Sequence, residues 1–166
     1  MSLLTDELRA LIGTTRVYTA PEPFGAAAFR YFGMAIGDDN PLYRDAAFAR
    51  AHGLSGVTAP MTLICETNQY ADVGLDADGF AGHSWHLDVP GTRQVRGGNA
   101  YTFHRRVRPD DVVTATWEIR DLTEKTTRAG QDMLVVGSRA TYTNQHGELL
   151  AVNDETIVLV RLDGAR

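Results

Sequence analysis

Leu4, Leu8, Leu11 and Ile12 recur at helical spacing behind two candidate caps, Ser2 and Thr5, which predicts a short amphipathic helix closed by Gly13. A β-like piece, Thr15 to Tyr18, follows. From Pro21 to Ile36 a proline near the start, a composition of Ala, Phe, Met and Ile, and a stop at Gly37 predict a second helix. Its Phe24, Ala28, Tyr31 and Ile36 offer an apolar surface for packing on a sheet. Asp38-Asp39-Asn40-Pro41 signals a turn, because Asp and Asn bond nearby backbone and Pro fixes φ. A short helix is expected from about Arg44 to Ala51, and Pro60 opens another through Met61, Thr62, Leu63, Ile64 and Cys65. The segment Asp72 to Gly82, rich in Asp and Gly, reads as a loop.

Beyond Trp85 the period changes to two. Val113 to Arg120 alternates apolar and polar residues strictly, as a strand with one buried and one wet face does. Tyr101, Phe103 and Val107 mark a preceding strand, and Leu134, Val136, Ala140 and Tyr142 a following one. Thr156, Val158, Val160 and Leu162 mark the last, after a hairpin turn at Asn144-Gln145-His146-Gly147. Pro109-Asp110-Asp111 is a further turn. Helices in the first half and antiparallel strands in the second make an α+β pattern, with the sheet curved around the helix that begins at Pro60. That helix carries Glu66, Thr67, Asn68 and Gln69, so the sheet swallows it only partly. An edge strand left open by such a sheet favours pairing with a second chain, and a dimer is the expectation.

The 166 residues, 43% of them hydrophobic and 22% charged, suit a single domain over 1–166 with an N-terminal helical extension. A formal net charge of -5 lacks the basic excess that phosphate backbones demand, which argues against nucleic acid. One cysteine, Cys65, allows no internal disulfide, and the acidic and basic residues among the first leucines spoil a signal peptide. No stretch approaches the roughly 18 apolar residues of a membrane span. A soluble cytoplasmic protein is expected.

Three segments, Ala35 to Tyr43, Gly56 to Thr62 and Phe103 to Asp111, occur in an order and spacing that resemble the MaoC-like dehydratases of the hot dog fold, in their dehydratase N-terminal domain branch. The resemblance runs from about Pro21 to Arg161 and implies an α+β hot dog, a curved antiparallel sheet wrapped around a central helix. It also implies (R)-specific hydration of enoyl thioesters, or dehydration of 3-hydroxyacyl thioesters, on coenzyme A or acyl carrier protein. Hydratase members carry Gly-Asp-x-Asn-Pro-x-His in the loop. By position Asp38 matches the catalytic Asp and Asn40 the Asn, while Tyr43 stands for His and Pro60 for the Gly whose N–H stabilises the enolate oxygen. A tyrosine, with an ordinary pKa of about 10, is a poor base at neutral pH, and proline has no N–H, although that of Met61 is adjacent. General acid–base help is worth about 10²- to 10⁴-fold and one oxyanion donor about 10²- to 10³-fold. In two-component members one hot dog is catalytically degenerate and shapes the acyl tunnel. The resemblance therefore implies a substrate-holding subunit beside a catalytic partner.

Alternatives stay open at each residue. Asp38 after Gly is also a common cap, and Tyr43 suits either a hydrogen bond to a thioester carbonyl or plain packing. His104, Arg105 and Arg106, with Arg108, form a basic strand suited to the phosphates of coenzyme A or of a phosphopantetheine arm, or a solvated face opposite Asp110 and Asp111. His83 and His86 have no third ligand, so no metal is expected, and Gly97-Gly98 reads as a bulge or close approach, so no cofactor is called for. A self-sufficient homodimeric hydratase would need Tyr43, His83, His86 or His104 beside Asp38. A hot dog thioesterase would use Glu66 on the central helix, and a binding module would hold acyl thioesters without turnover.

Overall fold

The computed structural model describes residues 2–65 and 68–162. The first helix is short, α1 (Asp6–Arg9), with the Thr5 hydroxyl accepting from the Leu8 N–H at 3.3 Å. Turns carry the chain on to Gly13, whose φ of 87° suits glycine. β1 (Thr15–Thr19) leads to α2 (Gly25–Ala35), which starts later than Pro21 because Pro23 pushes the residue before it away from helical dihedrals. Gly37, at φ 70°, follows its C-cap, Ile36. α3 (Ala46–Ala51) is capped by Asp45, which accepts from the Ala47 and Phe48 N–H groups, both at 2.9 Å.

The expected central α-helix is replaced, among the described residues, by two 3₁₀ turns, Met61–Cys65 and Asn68–Tyr70. Leu63 N–H bonds Pro60 O at 3.0 Å, three residues back, and the Gln69 side chain donates to Ile64 O at 3.3 Å, a carbonyl that an α-helix would give to residue 68. β-branched Thr62 and Ile64 add to the poor helical propensity. Glu66 lies outside the described residues.

β2 (Thr92–Phe103), β3 (Thr114–Thr126), β4 (Asp132–Thr143) and β5 (Leu149–Arg161) complete a five-stranded sheet of order β1-β3-β4-β5-β2, antiparallel throughout. Val107 lies beyond the end of β2, and so do His104, Arg105 and Arg106, which corrects their expected placement on a strand. Gly97 sits at a register shift in β2, where a Cβ would come within 2.9 Å of the Thr156 methyl. β1 and β2 are the edges, and β2 is exposed from Arg93 to Ala100.

Two apolar clusters cover the inner face. One gathers Phe29, Tyr43, Ile64, Trp117, Ala140 and Tyr142; the other gathers Leu8, Ile119, Leu122, Leu134, Val136 and Leu159. β3 and β4 turn inward the residues whose alternation marked them. β5 does not: of Thr156, Val158, Val160 and Leu162 only Val160 is buried, whereas Ala151, Asn153, Glu155 and Leu159 are. Among the described residues no helix is long and apolar enough to cross a membrane.

Candidate active-site loop and the inner face of the sheet

The loop after α2 is built from its own side chains. Asn40 caps the 3₁₀ turn Pro41–Tyr43 by accepting from the Leu42 N–H at 3.0 Å, and its own N–H donates to Asp38 Oδ1 at 3.1 Å. The Tyr43 hydroxyl donates to Asp38 Oδ2 at 2.8 Å. Both carboxylate oxygens are thus engaged within the loop. The ring fits because residue 33 is glycine: a Cβ there would lie 2.9 Å from Asp38 O and 3.1 Å from Tyr43 Cδ2. Burial raises the Tyr43 pKa above its ordinary value, the bond to Asp38 and its charge raise it further, and Arg106 opposes them. An acid held more tightly than usual is no base at neutral pH.

Arg30, Gly33, Met34, Asp38, Asn40 and Tyr43 line a cleft of about 340 Å³. No histidine lines it, and neither do Pro60, Met61, His104 or Arg105. Leu42 O accepts from the Thr58 N–H at 3.0 Å, tying the loop to the segment that enters buried Pro60. Of the basic cluster, His104 is exposed and its backbone N–H donates to Leu150 O at 2.9 Å. Arg105 forks onto buried Asp111, at 3.0 and 2.8 Å, and reaches Glu148 at 3.0 Å. Asp111 also accepts from the Arg108 N–H at 2.7 Å and the Asn144 side chain at 3.0 Å. Burial alone would raise the Asp111 pKa, but Arg105 and these donors carry it below the ordinary value. Arg105 is thereby committed to the chain's own carboxylates. Arg106 differs: it acts on Tyr43, and among the described residues its Nη1 is buried with no hydrogen-bond partner.

A second constellation, which the alternation in β5 concealed, lies on the inner face of the sheet. Asn99 stands across the ladder from Glu155, and Tyr101 from Asn153. Together with His83, Trp117 and Tyr142 they line a cavity of about 320 Å³. His83 stacks on Trp117 with ring centroids 4.3 Å apart, and its Nδ1 lies 3.0 Å from the Tyr18 hydroxyl. Burial, with Arg16 and His86 adding positive charge, lowers the His83 pKa to about 4, so the ring is neutral at pH 7. Burial raises the Glu155 pKa against the opposing charge of Arg96, 3.9 Å away. Among the described residues no group of three potential metal ligands gathers.

The protein family described as the FAS1-like dehydratase domain region matches residues 10–153. A UPF0336 protein of Thermobifida fusca is 32% identical over 151 residues, 89% of this chain and 91% of that protein. Among solved structures, the ChsH1–ChsH2 complex of Mycobacterium tuberculosis aligns with TM-score 0.73 at 22% identity, over 92% of this chain and 87% of that one. The HadBC 3R-hydroxyacyl-ACP dehydratase complex of the same organism aligns with TM-score 0.62 at 25% identity, over 89% and 96%. Five antiparallel strands, the few short helices and the matched span together make this chain a member of the FAS1-like dehydratase-region family, among the MaoC-like hot dog dehydratases.

Proposed function

We propose that this chain is the substrate-holding subunit of a two-component (R)-specific enoyl-thioester hydratase, or 3-hydroxyacyl-thioester dehydratase, whose partner hot dog supplies the catalytic Asp and His. The observation that carries the reading is the hydrogen bond from the Tyr43 hydroxyl to Asp38 Oδ2, 2.8 Å long. It fills the place of the family's imidazole with an acid and ties up the carboxylate that would share the work. Pro60 supports the same reading, since it presents no N–H where the resemblance expects the oxyanion donor. Two of the similar structures are complexes, ChsH1–ChsH2 and HadBC, the second named as a 3R-hydroxyacyl-ACP dehydratase.

The substrate is an acyl thioester of coenzyme A or acyl carrier protein, met in the cytoplasm. The exposed ladder edge of β2 from Arg93 to Ala100 is the surface on which the second hot dog, a catalytic subunit or another copy, pairs. Hydration of a short trans-2-enoyl-CoA, followed as loss of the conjugated double bond, tests the reading. The protein alone is expected to give no turnover, and adding a hot dog partner that bears the full Asp and His motif restores it. Turnover by the protein alone that Asp38→Asn abolishes would overturn the assignment.

A further inference from the structure

The sheet edge at β2 is free to take another strand, but its charge is one-sided. Every residue from Arg93 to Ala100 is exposed, and β2 ends the strand order with β5 on its inner side. The strand carries Arg93 and Arg96 and no carboxylate, in a chain whose formal net charge is -5. Neither arginine is spent within the chain. Arg93 has no hydrogen bond or ion pair among the described residues. Arg96 Nη1 lies 3.9 Å from Glu155 Oε1, too far for a hydrogen bond, on a side chain that is 68% exposed. Both guanidinium groups therefore present their donors at the edge.

Strand geometry decides what can meet them. Alternation puts Arg93 and Arg96 on opposite faces, and Arg96 points inward, since it stands across from Ile157, which packs on the inner apolar cluster. A second copy would add β2 to β2, antiparallel, about a two-fold axis perpendicular to the sheet, which keeps the two inner faces on one side. Residues directly opposite one another share a face, so that axis passes through a residue. With the axis at Arg93 or at Arg96, that arginine faces its own copy. With it at Gln94, Arg93 lies diagonal to its copy, and with it at Val95, Arg96 does, a separation that long side chains span. Past Arg96 the register shift to Gly98 breaks the regular ladder that pairing needs. Like charges across strands destabilise a sheet, and a charge that points inward from an edge strand bars indiscriminate pairing. A strand that bears carboxylates reverses the sign, because each guanidinium gains a charge-assisted partner at the seam.

Resting on the reading above that a second hot dog adds its edge to β2, we infer that Arg93 and Arg96 make this edge reject a second copy of the chain and accept a partner strand that presents Asp or Glu opposite them. The second component is therefore a different chain, recognised by an acidic edge strand.

The chain itself supplies an acidic test partner. Arg93→Glu/Arg96→Glu is prepared with an isotope label and mixed with unlabelled wild type, and the dimers are read by native mass spectrometry and sedimentation velocity. The mixed dimer is expected to form about tenfold or more tightly than either protein forms with itself, because like-charge contacts across the seam become opposite-charge ones. Raising the ionic strength to about 0.5 M is expected to narrow that ratio, since exposed charges are screened. Arg96→Glu sets a carboxylate beside Glu155, so the same variant with Glu155→Gln added, which removes that repulsion, serves as a second acidic partner and is expected to show the same preference. Wild-type chains that dimerise as tightly as the mixture, or mixtures that stay monomeric with both acidic variants, would overturn the inference. Neither arm uses substrate. Charge-selective pairing without partner-restored hydration would sink the proposed function and leave the selectivity of the edge standing, whereas restored hydration beside a self-pairing wild type would sink the selectivity alone.

Discussion

The Asp38 loop and the inner face of β5 present opposite relations between appearance and chemistry. The loop carries the residues that look catalytic, yet they satisfy one another: Tyr43 and the Asn40 N–H occupy the Asp38 carboxylate, and the Asn40 side chain caps its own turn. The inner face carries no motif, yet Asn153 Oδ1 and His83 Nε2 are buried with nothing to bond among the described residues. A polar group that the chain itself satisfies holds structure. One that is buried and left unpaired costs the fold stability. Family position and hydrogen-bond completeness are therefore separate observations, and here they point to different parts of the protein.

The sharpest contrast is with the self-satisfied network around Asp111. Replacing Asp111 by Ala leaves Arg105 with Glu148 and the Arg106 carbonyl, and removes one acceptor from the Asn144 amide and the acceptor of the Arg108 N–H. The expected loss is about 3 kcal/mol or more in chemical denaturation, the range for breaking a buried ion pair. A loss under about 0.5 kcal/mol, the scale of an ordinary surface substitution, would move Arg105 back among the groups free to meet a phosphate.

The pH dependence separates the two regions next. His83 has a folded pKa lowered to about 4 from an ordinary 6.5, so the unfolded chain binds its proton first as pH falls. Its stabilising effect is complete above pH 6.5 and is lost as pH drops toward 4, by on the order of 3 kcal/mol at most. His83→Phe is expected to flatten the stability profile in that window. A profile unchanged by the substitution would mean that the ring titrates as an exposed histidine and that the inner face is wetter than its packing implies. Asp111 contributes in a different window: its lowered pKa gives stability that is present above the ordinary Asp range and is lost only as pH falls below it.

Tyr43→Phe should have the smallest effect. Removing the hydroxyl costs about 1 kcal/mol, one hydrogen bond in a half-buried loop. Hydration by the reconstituted pair should stay within about twofold, since general acid–base roles are worth about 10²-fold or more. A hundredfold fall in turnover would make Tyr43 part of the chemistry and break the contrast between the two regions.

What could be read in advance followed the strength of the local signal. β3 and β4 were legible because Ala115, Trp117 and Ile119, and Leu134, Val136, Ala140 and Tyr142, alternate as a half-buried strand must. The stop at Gly37, the loop turn and the α3 region were legible because capping and turn residues act over a few positions. β5 misled because both of its faces carry apolar residues while its inner face also carries Asn153 and Glu155, so hydrophobicity alone chose Thr156, Val158 and Leu162. The basic run after Phe103 read as one exposed strand because sequence does not show that Asp111 folds back onto Arg105.

The sequence by itself determined the α+β order of elements, the acidic loop with tyrosine in place of histidine, and the proline that removes an N–H, because these are properties of residue type and near-neighbour spacing. Only the tertiary structure decided which polar groups found partners. Asp38 met Tyr43 across a glycine in α2, Arg105 met Asp111 across a turn, and Asn153 and His83 were buried from distant parts of the chain with one atom each unpaired among the described residues. Hydrogen-bond satisfaction is a sum over contacts between segments far apart in sequence, and no local pattern encodes that sum.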